Sequence, residues 1–164
     1  MVRETGLGAA NYRLAVYIAN RPPLAEYQAL NRMRVLQTGE IDFIVSQTGN
    51  HWRKIFNLYA KLVFALEPRQ FSCWQEYRDN YLLGPAAEHA LLFSPPRLGD
   101  EQKIHIITGK TYAAQLGLDV GLQQVDSDFA RDRSHRLIVA PYFDYRQLSN
   151  AKLSRLVNLI QALA

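Results

Sequence analysis

Short apolar runs rich in β-forming residues recur along this chain with helical stretches between them, and that alternation restricts the fold more than any other feature. The runs are residues 14–19 (LAVYIA), 41–46 (IDFIVS), 103–108 (KIHIIT) and 137–140 (LIVA). Runs of this length and composition, bounded by Gly, Pro or Asn punctuation, read as buried strands. After the first, the breaker Asn20-Arg21-Pro22-Pro23 leads into residues 24–37, where Leu24, Tyr27, Leu30, Met33 and Leu36 recur at helical spacing until Thr38-Gly39. Asn50–Leu66 is the strongest helix, with Trp52, Ile55, Phe56, Tyr59, Leu62, Val63 and Leu66 on one face. Glu67-Pro68 ends it, because the residue before proline is pushed out of the α region.

Further helices are predicted over residues 72–81, 86–92 and 110–116, and the chain closes with an amphipathic helix after residue 150, capped by Ser149 or Asn150. Residues 1–11 read as a loose arm, and residues 119–134 as a polar link of solvated charges. Strands alternating with helices predict an α/β fold: a three-layer α/β/α sandwich around a central, mostly parallel sheet of about four strands. At 164 residues, with 48% hydrophobic and 21% charged residues, one domain spanning residues 1–164 is expected.

No apolar run reaches the length of a membrane helix and the first residues lack the apolar core of an export signal, so a cytoplasmic protein is expected. The single cysteine, Cys73, excludes an internal disulfide, and its place beside Trp74 on an apolar helix face predicts a core thiol. The net charge is +4, without a Lys/Arg cluster, and 14 of the 19 basic residues are Arg. Arg suits bidentate contacts to carboxylate or phosphate, so nucleic acid or a nucleotide-like small molecule stays open as a partner.

The candidate site follows from the architecture, since ligands of open α/β sheets sit beyond the carboxyl ends of the strands. After the last strand comes Tyr142-Phe143-Asp144-Tyr145-Arg146-Gln147, three aromatics with a carboxylate and a guanidinium. Tyr142, Tyr145 and Arg146 offer stacking and charge, and aromatics interleaved with Arg are what base-stacking sites use. Asn20 and Arg21 end the first strand, and Arg97 lies in the proline-rich loop at the same rim. Asn20 also reads as an Asx-turn residue.

Thr108-Gly109-Lys110-Thr111 is no triphosphate loop, because the required first glycine falls on Ile104 inside a strand. The turn still aims helix amides and Lys110 at one point, as an anion site or as an ordinary βα turn. His51, His89, His105 and His135 have no zinc-binding spacing, so no metal and no cofactor is expected. No serine has the G-x-S-x-G setting of a nucleophile.

In these two loops the layout resembles that of the uracil-DNA glycosylase superfamily, with four parallel strands, a functional loop after the first, and a second after the last that leads into the final helix. Where that family has a Gly-Gln-Asp-Pro-Tyr-like loop, this chain has Ala19-Asn20-Arg21-Pro22-Pro23, without the aspartate. Where it has a His-Pro-Ser-Pro-like loop, this chain has Ala140-Pro141-Tyr142-Phe143-Asp144, without the histidine. The resemblance implies a nucleobase-sized cleft. The chain also resembles a family of small uncharacterised bacterial proteins. Three functions are carried forward: a domain binding a nucleotide, nucleobase or nucleic-acid end; a glycosylase- or hydrolase-type enzyme with Asp144 as general base; and a non-catalytic structural or interaction protein.

Overall fold

The apolar runs meet in one sheet. A computed structural model of the chain, which describes residues 3–164, shows a mixed α/β fold with eight strands in the order β3-β1-β4-β2-β5-β8-β7-β6. These are β1 (Gly6–Gly8), β2 (Leu14–Tyr17), β3 (Met33–Arg34), β4 (His89–Leu92), β5 (Ile104–Thr108), β6 (Gln123–Gln124), β7 (Ala130–Asp132) and β8 (Leu137–Ala140). β2 runs parallel to β4 and β5, β5 to β8, and β3 to β1. The β1–β4, β7–β8 and β6–β7 pairs are antiparallel.

The helices are α1 (Ala25–Gln28), α2 (Glu40–Thr48), α3 (Asn50–Leu66), α4 (Trp74–Asn80), α5 (Lys110–Gln115) and α6 (Asn150–Leu163). Successive strand residues point to opposite faces, and the sheet uses both. Val16, Leu91, Ile106 and Ile138 pack with Ile55, Leu62 and Leu156 of α3 and α6, while Ala15, Tyr17, Leu92 and Ile107 pack with Ala113 of α5. Each fully buried aliphatic side chain contributes about 1.5–3 kcal/mol, so these two clusters are the main favourable term. The Tyr59 hydroxyl ties α3 to the sheet by donating to the Ala90 carbonyl at 2.6 Å.

Several expectations are corrected. The sheet has eight strands rather than about four, and three of its pairings are antiparallel. The arm expected over residues 1–11, whose residues 1 and 2 lie outside the described residues, contains β1, inserted beside β4; a Cβ on Gly6 would lie 2.3 Å from the Leu91 carbonyl oxygen, so only glycine permits that approach. The helix expected over residues 24–37 stops at Gln28. Arg21 takes the carbonyls that would continue it, donating through Nη1 to Tyr27, Gln28 and Leu30 at 3.0, 3.0 and 2.9 Å. Met33–Arg34 then joins the sheet as β3.

The strand expected at residues 41–46 is helix α2, because Ile41 and Ile44 are buried together at a spacing of three. Conversely, the helix expected at residues 86–92 contains β4, whose four residues are all buried between β1 and β2. An apolar run of this length is strand or helix according to its neighbours. The polar link contributes the edge strand β6 and its neighbour β7. Cys73 is exposed at the N-cap of α4 rather than in the core. Among the described residues no helix is long and apolar enough to cross a membrane.

Candidate functional site

α3 is the beam on which the site is built. Gly49, with φ of 93°, breaks α2 from α3 and lets the new helix start beside the end of β2. Its first turn brings His51 to Asn20, and the β8–α6 loop brings Tyr142 to both. The Tyr142 hydroxyl donates to Asn20 Oδ1 at 2.8 Å and lies 3.0 Å from His51 Nε2, which is 3.2 Å from Asn20 Nδ2. The His51 and Tyr142 rings stack with centroids 5.8 Å apart. Partial burial raises the Tyr142 pKa above the usual phenol value, with the Asn20 bond opposing, so the hydroxyl stays protonated at neutral pH.

One turn further along α3, Lys54 meets Asp144 at 3.6 Å and the Tyr145 ring at 5.7 Å. Tyr145 is exposed and its hydroxyl accepts from Asn57 Nδ2 at 3.0 Å. Lys61 lies over the other end of this series, 5.4 Å from the Tyr145 ring and 5.0 Å from the Trp74 ring. Arg78 sits 5.4 Å from the Trp74 ring and donates to Asn57 Oδ1 at 2.8 Å. The result is a ladder in which cation and ring alternate: Lys54, Tyr145, Lys61, Trp74, Arg78. His51, Lys54 and Lys61 lie along one side of α3 over ten residues, about 15 Å of helix. A lysine over an aromatic face gains about 0.5–1 kcal/mol at an exposed site, so the ladder is pre-ordered but not locked.

Asp144 is held ionised. Its Oδ1 accepts the Arg146 N–H at 2.9 Å, and that bond, with Lys54 beside it, keeps its pKa below the ordinary aspartate range despite some burial. Such a carboxylate is a weaker proton acceptor than a free one. The Arg146 side chain is exposed.

The remaining expected residues are placed apart from this cluster. Arg21 is engaged by three carbonyls and lies 5.3 Å from the Phe93 ring. Lys110 opens α5 after Gly109 and donates to the Ser127 carbonyl at 3.2 Å. Arg97 borders a pocket of about 250 Å³ with Glu4 and Ser94. The structure therefore brings together Asn20, Tyr142, Asp144 and Tyr145. It adds His51, Lys54, Asn57, Lys61, Trp74 and Arg78, which lie on helices. The signal for them is the polar stripe His51, Lys54, Asn57, Lys61 along α3, opposite its apolar face. Among the described residues no group of three or more His, Cys, Asp or Glu side chains could hold a metal ion. A cavity of about 490 Å³ lies at the opposite, amino end of the strands.

The model of the family of unknown function DUF6942 matches the chain over residues 5–161. No curated protein and no solved structure matches it.

Proposed function

We propose that this chain, which belongs to the DUF6942 family, binds single-stranded nucleic acid along the α3 face. The observation that carries this reading is the alternation of Lys54, Tyr145, Lys61, Trp74 and Arg78 on one partly exposed surface. Non-specific single-strand sites pair a cationic track for phosphates with aromatic faces on which bases stack. The three cations supply the track, and Tyr145 and Trp74 the faces. Arg146, next to Tyr145, extends the charge.

At the amino end of the track, Asn20, His51 and Tyr142 present amide, imidazole and phenol groups within hydrogen-bond reach of one another. A base or a strand end placed there would meet donors, acceptors and a stacked ring pair. The first-turn amides of α3 add a fixed partial positive charge at the same point, where phosphate is favoured.

The likeness in layout to uracil-DNA glycosylases gains support from the run β4-β2-β5-β8, parallel throughout, with Asn20 after one central strand and Tyr142 after the last. Helices packed on both faces of that run support the three-layer description. His51 of α3 puts an imidazole beside Asn20 and Tyr142, where the loop sequence itself has none. The stabilised ionisation of Asp144 argues for binding over turnover, since a general base works best with a pKa near the working pH.

The test is a fluorescence-anisotropy titration of a labelled 12-nucleotide oligothymidylate and of its duplex at several salt concentrations. Three phosphate contacts give a log–log salt slope of about −2 for a single strand. Tyr145→Ala should weaken binding by about 1–3 kcal/mol, the worth of one base stacked on an aromatic ring. Salt-independent binding, or a Tyr145→Ala variant as tight as wild type, would refute the proposal.

A further inference from the structure

A cavity of about 490 Å³ stands at the amino ends of β4, β2, β5 and β8, away from the ladder. That volume falls within the range of about 300–1,000 Å³ usual for small-molecule sites. Leu14, Ile104 and Ile160 give it apolar walls, and Tyr77 and Tyr81 of the α4 region give it an aromatic one.

Its polar groups are specific. His89 lines it and is only 5% exposed. The Leu83 N–H donates to His89 Nε2 at 3.1 Å, which places the proton of the neutral ring on Nδ1. Burial keeps the ring neutral, lowering its pKa to about 3, with Arg69 acting in the same direction. Among the described residues Nδ1 has no hydrogen-bond partner, and the ring lines the cavity, so this N–H is open to an acceptor placed there.

Arg136 lines the same cavity. Its Nε donates to the Lys103 carbonyl at 3.2 Å and its Nη1 to the Leu163 carbonyl at 2.6 Å. These bonds fix the guanidinium and leave Nη2 uncommitted, whereas Arg13 and Arg69 are paired with Glu88 and Glu67 at 3.2 and 3.0 Å.

The backbone marks the same place. Among the described residues the non-glycine residues with positive φ are Arg69, Leu83 and Arg136, at 57°, 58° and 53°. Two line the cavity and the third holds His89. Left-handed backbone at branched or long side chains is unfavourable and gathers at ligand clamps.

We propose that this cavity is a second binding site, for a small planar molecule that carries one acceptor atom for His89 Nδ1–H and one anionic group for Arg136. The Tyr77 ring, stacked with His89 at 24° and 6.1 Å, and Tyr81 set the plane of the bound ring. The site is independent of the nucleic-acid surface and is tested separately.

The probe is 8-anilinonaphthalene-1-sulfonate, an aromatic anion with a planar naphthalene ring whose fluorescence rises on leaving water, beside its uncharged analogue N-phenyl-1-naphthylamine. Wild type should bind both saturably, one per chain, and the histidine N–H resonance of His89 should shift on binding. Arg136→Gln should weaken the sulfonate about tenfold, the loss of one charge-assisted contact, and leave the uncharged probe unchanged. Gln161→Trp, on an exposed position at the rim, should block both probes with no change in melting temperature. Binding that survives Gln161→Trp, or that Tyr145→Ala abolishes, would overturn the assignment, as would the absence of saturable binding.

Discussion

Acidification should destabilise the fold well above the pH at which carboxylates titrate. His89 and His105 are 5% and 0% exposed. Burial lowers their pKa values to about 3 and about 4, with nearby Arg69 and Lys103 respectively adding to the effect. Around His89 stand the rings of Tyr59, Tyr77 and Tyr81. His105 Nδ1 lies 2.7 Å from the Tyr17 hydroxyl, and its Nε2 is buried without a partner. In the unfolded chain both titrate near 6.5.

The folded pKa values are the lower ones, so the unfolded chain takes up protons first as the pH falls. The stabilising contribution is therefore complete above pH 6.5 and is lost on the way down towards 4 and 3. Between pH 7 and 5.5 each histidine should remove about 1.2 kcal/mol, about 2.5 kcal/mol together, by proton linkage. That result is insensitive to how far below 5 the folded values lie. It is a large share of a typical stability of about 5–15 kcal/mol. Urea unfolding at pH 7.0, 6.5, 6.0 and 5.5 measures it directly, in a window where carboxylates are ionised in both states. A flat stability over that window, or an NMR titration of either ring near 6.5 in the folded protein, would refute the reasoning.

Three further outcomes follow from the geometry. Gly6→Ala forces a Cβ against the Leu91 carbonyl oxygen, 2.3 Å away, and should cost about 1–3 kcal/mol in urea unfolding, as other overpacked sites do. Arg21→Ala leaves the carbonyls of Tyr27, Gln28 and Leu30 without their donor; a stability loss of about 1.5–3 kcal/mol is expected, with oligonucleotide affinity unchanged because Arg21 is not on the ladder. Asp144→Asn removes the carboxylate that competes with phosphate for Lys54, so single-strand affinity should rise about two- to fivefold, within the worth of an exposed ion pair. Weaker binding in anisotropy would instead assign Asp144 a direct role in holding the ligand.

The parts legible in the sequence are those where local and global preferences agree. Asn50–Leu66 forms α3 with the expected bounds because its apolar period runs for seventeen residues between Gly49 and Glu67-Pro68. Leu137–Ala140 and residues 104–108 form strands as expected, and Ser149 caps α6 by accepting the Lys152 N–H at 3.4 Å. Where a short apolar run could satisfy either period, burial partners far away in the chain decided, as at Ile41–Ile44 and His89–Leu92.

The site divides the same way. Tyr142 and Tyr145 stand out because they follow a strand, and Asn20 because it ends one. Lys54, Lys61 and Arg78 sit on the polar sides of helices, where a charge reads as solvated surface, and Trp74, packed partly against the core, reads as a core residue. Only the packing of α4 and the β8–α6 loop against α3 turns them into a series. His105, between Ile104 and Ile106 in β5, is fully buried with one ring nitrogen unpartnered, which strand alternation alone does not reveal.

The most direct measurement of the central claim is the fluorescence of Trp74 during titration with the single-stranded oligothymidylate, compared with the Trp74→Phe variant. Trp52, the other tryptophan, is buried at 2% exposure, and its ring lies 6.1 Å from that of His51, so Trp74→Phe reads its share of the signal alone. Stacking of a base on the ladder predicts saturable quenching at low salt that reverses as salt is added and is smaller in Trp74→Phe. Binding seen by anisotropy with emission unchanged, or quenching undiminished in Trp74→Phe, would contradict the ladder as the binding surface.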